Sequence, residues 1–276
     1  MLLTLGHSPD PDDAFMFYAL AKGRIEMGDL SFEHILQDIE TLNQRARRGE
    51  LDVTALSLHA YAYVADRYAL LTCGASVGER YGPLVVARDP LSLDDLRHCR
   101  TAVPGTLTTA FLVLRLALGD FPHVVLPFDR ILDAVAKDEA DAGLVIHEGQ
   151  LTYDRLGLRK VADLGEWWFD ETGLPLPLGV NGVRKDLPQP LRQHIARLIR
   201  ASIDYGLAHR ADAVRHALQY ARDMNDQLAD RFVGMYVNDY TVDLGERGRR
   251  AIAELLDRAY AAGLTPHRVR CEFVEV

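Results

Sequence analysis

Cysteine is scarce: Cys73, Cys99 and Cys271 are the three in 276 residues, and no two share a C-x-x-C spacing. That argues against a disulfide framework or a thiolate zinc site and leaves reduced, largely buried thiols. Long apolar runs are also missing. Runs such as "AFLVL" fall far short of the roughly 18 residues that span a bilayer, so no membrane segment is expected. Positive charge is in deficit, with 31 basic residues against 40 acidic and a net charge of -9, and no basic stripe is present. Nucleic acid is therefore not an expected partner. The opening "MLLTLGHSPDPDDAF" has no basic n-region and passes quickly from apolar residues to Pro and Asp, so cytoplasmic residence is expected. The phosphate-binding G-x-x-x-x-G-K loop is absent, as is a G-x-G-x-x-G after the first strand. Nucleotide-dependent chemistry loses its usual marks.

What is present is an alternation of short apolar runs with helical patterns, without internal repeats, over a chain that is 48% hydrophobic. "MLLTLG" reads as a strand. "DDAFMFYALAKG" reads as a helix, with Asp12 or Asp13 as N-cap and Gly23 as its stop. "DIETLNQRARRG" and "LHAYAYVADR" are helix candidates, and "LDVTALS", "YALLTCG" and "GPLVVARDP" are strand candidates. After Pro90 the pattern restarts with Ser92 and Asp95 at capping-box spacing, then strand "TAVPG", helix "TTAFLVLRLALG", strand "HVVLPF", helix "RILDAVAKDEADAG" and strand "GLVIH". Beyond "GLPLPLGVNGV", where Pro175 and Pro177 favour extended backbone, the chain is helical: "QPLRQHIARLIRASIDYGLAHR", "ADAVRHALQYARD", "DQLADRFVGMYV" and "ERGRRAIAELLDRAYAAG". These helices need a sheet to cover, and the N-terminal strands supply it. The expected architecture is α/β with two lobes of the second periplasmic-binding-protein-like type. Residues 1–88 and 181–276 form the first lobe, residues 89–180 the inserted second, and "VVARDP" and "GLPLPLGVNGV" the crossings.

Strand ends carry the candidate chemistry, because ligands of open α/β sheets lie beyond the carboxyl ends of the strands. In "DAGLVIHEGQLTY" that position belongs to His147, an imidazole able to exchange a proton at neutral pH. Metal binding is not expected there. His147 and Glu148 are adjacent, which on extended backbone sends their side chains apart, and "HEGQL" lacks the second histidine of H-E-x-x-H. Ser8 with a helix start follows the first strand, Ser57 ends "VTALS", and Thr106, Thr108 and Thr109 lead into a helix in "VPGTLTTAF". A helix N-terminus can hold a carboxylate without an arginine. Trp167 and Trp168 leave two readings open, a pocket wall for a flat ligand or a cover for the core.

The stretches "HSPDPDDAFMFYAL", "DIETLN", "LDVTALS", "GPLVVAR", "VPGTLTTA", "GLVIHEGQLTY", "DLGEWW", "TGLPLPLG" and "YVNDYTVDLG" together resemble the 1,4-dihydroxy-6-naphthoate synthases of the futalosine route to menaquinone, over nearly the whole chain. The resemblance implies a cofactor-free, metal-free lyase that converts an anionic small molecule, cyclic dehypoxanthine futalosine, into 1,4-dihydroxy-6-naphthoate and a dihydroxyacetone fragment. It puts the base on His147 and substrate contacts on Ala55, Leu56, Ser57, Thr109 and Ala110, with Ser8, Asp13 and Thr108 nearby. The first loop departs from the family pattern: Asp10 and Asp12 stand where relatives commonly have Cys and Asn, while Asp13 is retained. Extra negative charge there costs affinity for an anion unless those carboxylates face solvent or cap the helix. Chorismate dehydratase of the same pathway, and a solute-binding protein without chemistry, are the competing readings.

Overall fold

The computed structural model describes residues 1–220 and 225–276. Five strands come first: β1 (Leu2–His7), β2 (Ser31–Leu36), β3 (Val53–Ser57), β4 (Tyr68–Leu71) and β5 (Ser76–Gly78). The next five build a separate sheet: β6 (Leu84–Ala87), β7 (Thr101–Val103), β8 (His123–Val125), β9 (Ala142–Val145) and β10 (Arg159–Asp163). β11 (Leu176–Arg184) and β12 (Phe273–Val274) return to the first sheet. Among the described residues the first sheet is seven-stranded, in order β12-β4-β11-β3-β1-β2 with β5 also on β11, and the second is five-stranded, in order β10-β6-β9-β7-β8. In the first, β1 is parallel to β2 and β3, whereas β11 runs antiparallel to β3, β4 and β5.

Side-chain alternation explains how each sheet is covered on both faces. On β4, Ala69 and Leu71 enter a cluster with Leu5, Ile195, Ile199, Ile203, Val214 and Val233, so the C-terminal helices do cover the first sheet. Tyr68 and Leu70, with the opposite phase, join a larger cluster with Ile252 and Leu255 of the helix Gly245–Ala261. That cluster runs on into the second sheet through Val85, Ala87, Ala142 and Leu144. The remaining face, with Leu84, Val86 and Val145, packs on Ile131 and Val135 of the helix Ile131–Ala136. One continuous apolar bed therefore joins the two sheets.

The first crossing lies elsewhere than expected. "VVARDP" does not carry the chain between sheets, because β6 pairs along its whole length with β9 and β10, both in the second sheet. The chain changes sheets over residues 79–83, and Pro83, not the exposed Pro90, marks the step. Buried ladder hydrogen bonds outweigh the break signal of a proline that lies beyond the strand. The return takes place over residues 173–175, at the start of "GLPLPLGVNGV", and Pro177 is accommodated beside a bulge in the β5–β11 pairing.

Several helices differ in extent. "DDAFMFYALAKG" becomes two short helices, Pro11–Met16 and Tyr18–Ala21, broken at Phe17. The N-cap position belongs to Asp10, with Pro11 at the first turn, rather than to Asp12 or Asp13. The capping-box pair is present, with Ser92 N–H donating to Asp95 (2.8 Å) and Asp95 N–H to Ser92 Oγ (3.3 Å), but it opens a 3-10 turn, Asp94–His98. The helix read in "ADAVRHALQYARD" is observed as Arg210–Ala217, and its last three positions, 221–223, lie outside the described residues. Among the described residues no helix is long and apolar enough to cross a membrane.

Candidate active site

The strand ends of the two sheets face one cavity of about 730 Å³, part of it open to solvent. Ser8, Asp10, Asp12 and Asp13 enter it from the loop and helix after β1, Ala55 and Ser57 from β3, and Ser76 from β5. Thr108, Thr109 and Ala110 come from the start of the helix Thr109–Leu118, Ile146 and His147 from just beyond β9, and Phe232 and Tyr236 from the C-terminal half. The strand-end rule thus brings Ser8, Asp13, Ala55, Ser57, Thr108, Thr109, Ala110 and His147 together. Leu56 and Thr106 are not brought in. Leu56 points to the opposite face of β3 and is fully buried in the large apolar cluster, as strand alternation requires, and Thr106 is exposed. Trp168 is core: it is fully buried, with its indole N–H donating to the Pro175 carbonyl at 3.0 Å.

His147 is 6% exposed and its two nitrogens have different environments. Nδ1 lies 2.9 Å from Asp10 Oδ2, while Nε2 is buried without a hydrogen-bond partner among the described residues. Phe128 covers the ring at a centroid distance of 3.8 Å. Burial alone would lower the imidazole pKa. The charge and hydrogen bond of Asp10, with the charges of Glu148 and Asp12, outweigh it and hold the pKa above its ordinary value. His7, close by in sequence to Ser8, is not available for proton exchange with the cavity. Its Nδ1 meets the Ser8 carbonyl (2.9 Å), its Nε2 meets His34 Nδ1 (3.0 Å), and burial pushes its pKa down to about 4.

The acidic loop neither faces solvent nor caps its helix with a side chain. Asp12 and Asp13 are buried; Asp12 accepts from Ser76 Oγ (3.1 Å) and Asp13 from the Ser8 N–H (2.7 Å). Burial, and then the charge of Asp10, raise Asp12 to about 6. Burial and the charge of Asp12 hold Asp13 well above the usual carboxylate range. A proton retained by this pair removes part of the charge that would oppose an anionic ligand.

On the opposite wall the lining residues, among those described, include no Lys or Arg. What that wall offers an anion is the start of the helix Thr109–Leu118, whose first N–H groups have no intrahelical acceptor. Thr108 caps it through Oγ1, which accepts from Phe111 N–H at 3.2 Å. The Thr109 hydroxyl is occupied within the protein: it accepts from Leu58 N–H (2.8 Å) and donates to the Leu178 carbonyl (2.5 Å). Thr109 therefore acts as a structural tie, and its backbone N–H is what remains for a ligand. Thr109→Val should lower stability by about 1–3 kcal/mol by leaving two buried backbone groups unpaired, with Thr109→Ser restoring most of the loss. Urea denaturation midpoints check this, and equal midpoints for wild type and valine variant would show that the tie contributes nothing.

Asn43 was not legible as a site residue. Fully buried in the helix Ile39–Arg48, it accepts the Ser57 N–H (3.0 Å) and donates to Ser57 Oγ (3.0 Å), which leaves the Ser57 hydroxyl proton for a ligand. Glu40, one turn earlier, accepts the Leu107 N–H at 3.0 Å and so fixes the loop that precedes the helix Thr109–Leu118. The available signal for Asn43 was a polar residue beside Leu42 and Ala46 on the buried stripe of that helix.

Ligand atoms of Asp10, His147 and Glu148 lie within 4.8 Å of one another. The expectation that His147 and Glu148 diverge fails, because the chain turns into a 3-10 segment, Glu148–Leu151, directly after His147. Asp10 and His147 already satisfy each other by a hydrogen bond, and we assign this cluster no metal.

Two sheets with facing strand ends around a single cleft define a protein of the periplasmic-binding-protein-like class. The alkanesulfonate-binding protein SsuA of Xanthomonas axonopodis pv. citri superposes with a TM-score of 0.76 at 16% identity, over 100% of this chain and 98% of that one, which speaks for the fold alone. The chain belongs to the family described as menaquinone biosynthesis, whose family model matches residues 3–261. It is 46% identical over 272 residues to the 1,4-dihydroxy-6-naphthoate synthase of Thermus thermophilus, covering 99% of both chains. It is 42% identical over 270 residues to the enzyme of the same name from Streptomyces coelicolor, covering 96% of this chain and 95% of that one. A solved structure from Archaeoglobus fulgidus is similar at 47% identity and a TM-score of 0.92, over 95% and 98% of the two chains.

Proposed function

We propose that this protein is a 1,4-dihydroxy-6-naphthoate synthase, acting in the cytoplasm, that cleaves cyclic dehypoxanthine futalosine to 1,4-dihydroxy-6-naphthoate and dihydroxyacetone with His147 as general base. The observation that carries the reading is the pair of unlike nitrogens on His147. Nδ1 is held by a carboxylate, and Nε2 stands buried and unpartnered beside the cavity. An imidazole in that state accepts a proton in a water-poor site, and its pKa above the ordinary value makes it a stronger base. Formation of the aromatic naphthalenediol supplies the thermodynamic pull. The enzyme's task is then to remove one proton and to stabilise an oxyanion, for which the Ser57 hydroxyl and the N–H groups of Thr109 and Ala110 are placed. A substrate carboxylate fits the helix start at Thr109, away from the acidic loop. The two sheets are the centres of the two lobes, with the cavity between them.

Incubation of the purified protein with cyclic dehypoxanthine futalosine, followed by mass spectrometry, tests the assignment. Appearance of 1,4-dihydroxy-6-naphthoate with loss of the starting mass is expected. Substrate recovered unchanged after long incubation would reduce the protein to a binding module.

A further inference from the structure

The side chain of Asp10 departs from what its position calls for. Asp10 occupies the N-cap position of the helix Pro11–Met16, where an aspartate ordinarily accepts a backbone N–H of the first turn, and it makes no such bond. Its Oδ2 instead reaches from the loop after β1 to His147 beyond β9, 137 positions away in sequence and on the other sheet, at 2.9 Å. The carboxylate is itself held in place. Ser8 Oγ donates to the same Oδ2 at 2.9 Å, and the Asp10 N–H donates to Ser8 Oγ at 3.1 Å. Ser8 is fixed in turn by its N–H on buried Asp13 at 2.7 Å. The chain of contacts from Asp13 through Ser8 and Asp10 to His147 lines the cavity throughout.

We propose that Asp10 is a positioning residue of the reaction: it holds His147 with the proton on Nδ1 and the lone pair of Nε2 directed at the cavity, and stabilises the imidazolium formed when Nε2 takes the substrate proton. This rests on the reading of His147 as the base. An ionised carboxylate accepts hydrogen bonds and donates none, so the nitrogen facing it must be the one that carries hydrogen. With Nδ1 so fixed, the neutral ring has its acceptor at Nε2, and protonation there produces a cation 2.9 Å from a counter-charge. Phe128 closes one face of the ring, so rotation that would exchange the two nitrogens is opposed sterically as well as electrostatically. The carboxylates that act on the ring are Asp10 and Asp12 from the first loop and Glu148 from its own turn. The 3-10 turn Phe128–Arg130 that packs on it also carries Asp129 and Arg130, and the helix Asp226–Tyr236 brings the Tyr236 phenol into the same cavity. Of these, Asp10 is hydrogen-bonded to the imidazole at Nδ1.

The test compares wild type with Asp10→Asn and Asp10→Glu, using ¹⁵N NMR of the His147 ring in the substrate-free protein and the pH profile of kcat/KM with cyclic dehypoxanthine futalosine. Asparagine keeps the size of the side chain, and since Asp10 caps no backbone group, a native circular-dichroism spectrum is expected. In wild type the ring should be the Nδ1–H tautomer. In Asp10→Asn it should lose that preference and titrate at least about one pH unit lower, the minimum expected on loss of a neighbouring opposite charge. The acid limb of kcat/KM should move down by the same amount while the plateau falls by about 10- to 10⁴-fold. Asp10→Glu, which retains the charge, should return the limb toward its wild-type position. A purely structural role would lower the rate without moving the limb. A ring that titrates identically in wild type and Asp10→Asn overturns the proposal and leaves the base assignment standing. A ring that shifts while the acid limb stays in place overturns the base assignment itself.

Discussion

His147→Asn is expected to fold normally and to lose at least about 100-fold in turnover, the lower end of what a general base contributes. The side chain is 6% exposed, and one of its nitrogens has no partner among the described residues, so the substitution removes a proton acceptor without stranding an Nε2 contact. Asparagine can still meet Asp10 through its amide N–H, which preserves the link between the two sheets. The loss should therefore fall on kcat rather than on the denaturation midpoint. A variant that keeps more than about a tenth of the wild-type rate would rule out His147 as the base.

Gly165→Ala should unfold more readily than wild type. A Cβ at Gly165 would stand 2.1 Å from the Tyr81 carbonyl oxygen and carbon and 2.6 Å from the Gly82 nitrogen, all of them backbone atoms that cannot swing aside. Overpacking of this kind costs about 1–3 kcal/mol, and relief here requires one of the two crossings between the sheets to shift. Gly234→Ala provides the contrast. It is exposed on the helix Asp226–Tyr236, and its Cβ would meet nothing closer than an Arg210 guanidinium at 3.5 Å. Helix propensity then predicts a gain of about 0.8–1.0 kcal/mol. Opposite shifts of the two urea midpoints are the expected result, and a Gly165→Ala midpoint equal to wild type would show that the first crossing is not tightly packed on Gly165.

What the sequence makes legible is local. The strand ends at the cavity are marked by an apolar run followed by a hydroxyl, a helix start or His147, and such marks depend on a few consecutive residues, so Ser8, Ser57, Thr108, Thr109 and His147 are legible in the sequence, together with Thr106, which proves exposed. The partners that make these residues work are not local. Asn43 reaches Ser57 from a neighbouring helix, Tyr236 meets Gln150 at 2.8 Å across 86 positions, and Asp10 meets His147 across 137. No periodicity encodes such pairs. The crossing at residues 79–83 was missed for a related reason. "VVARDP" carries a local break signal, whereas sheet membership of β6 is set by its pairing with β9, a choice made by packing. Edge strands β2 and β12 escaped as well, since "SFEHIL" has a largely polar, half-exposed pattern and β12 is two residues long.

The first crossing is fastened at both of its ends. Gly78 pairs with Leu176, the Pro83 carbonyl accepts the Leu164 N–H at 2.9 Å, and Gly82 lies against Gly165. Asp10 lies in the loop after the first strand of one sheet and His147 just beyond β9 of the other, so their hydrogen bond spans the two sheets. The orientation of the imidazole therefore depends on how the two sheets are held against each other, and a change in the first crossing should be felt at His147 without touching the cavity wall.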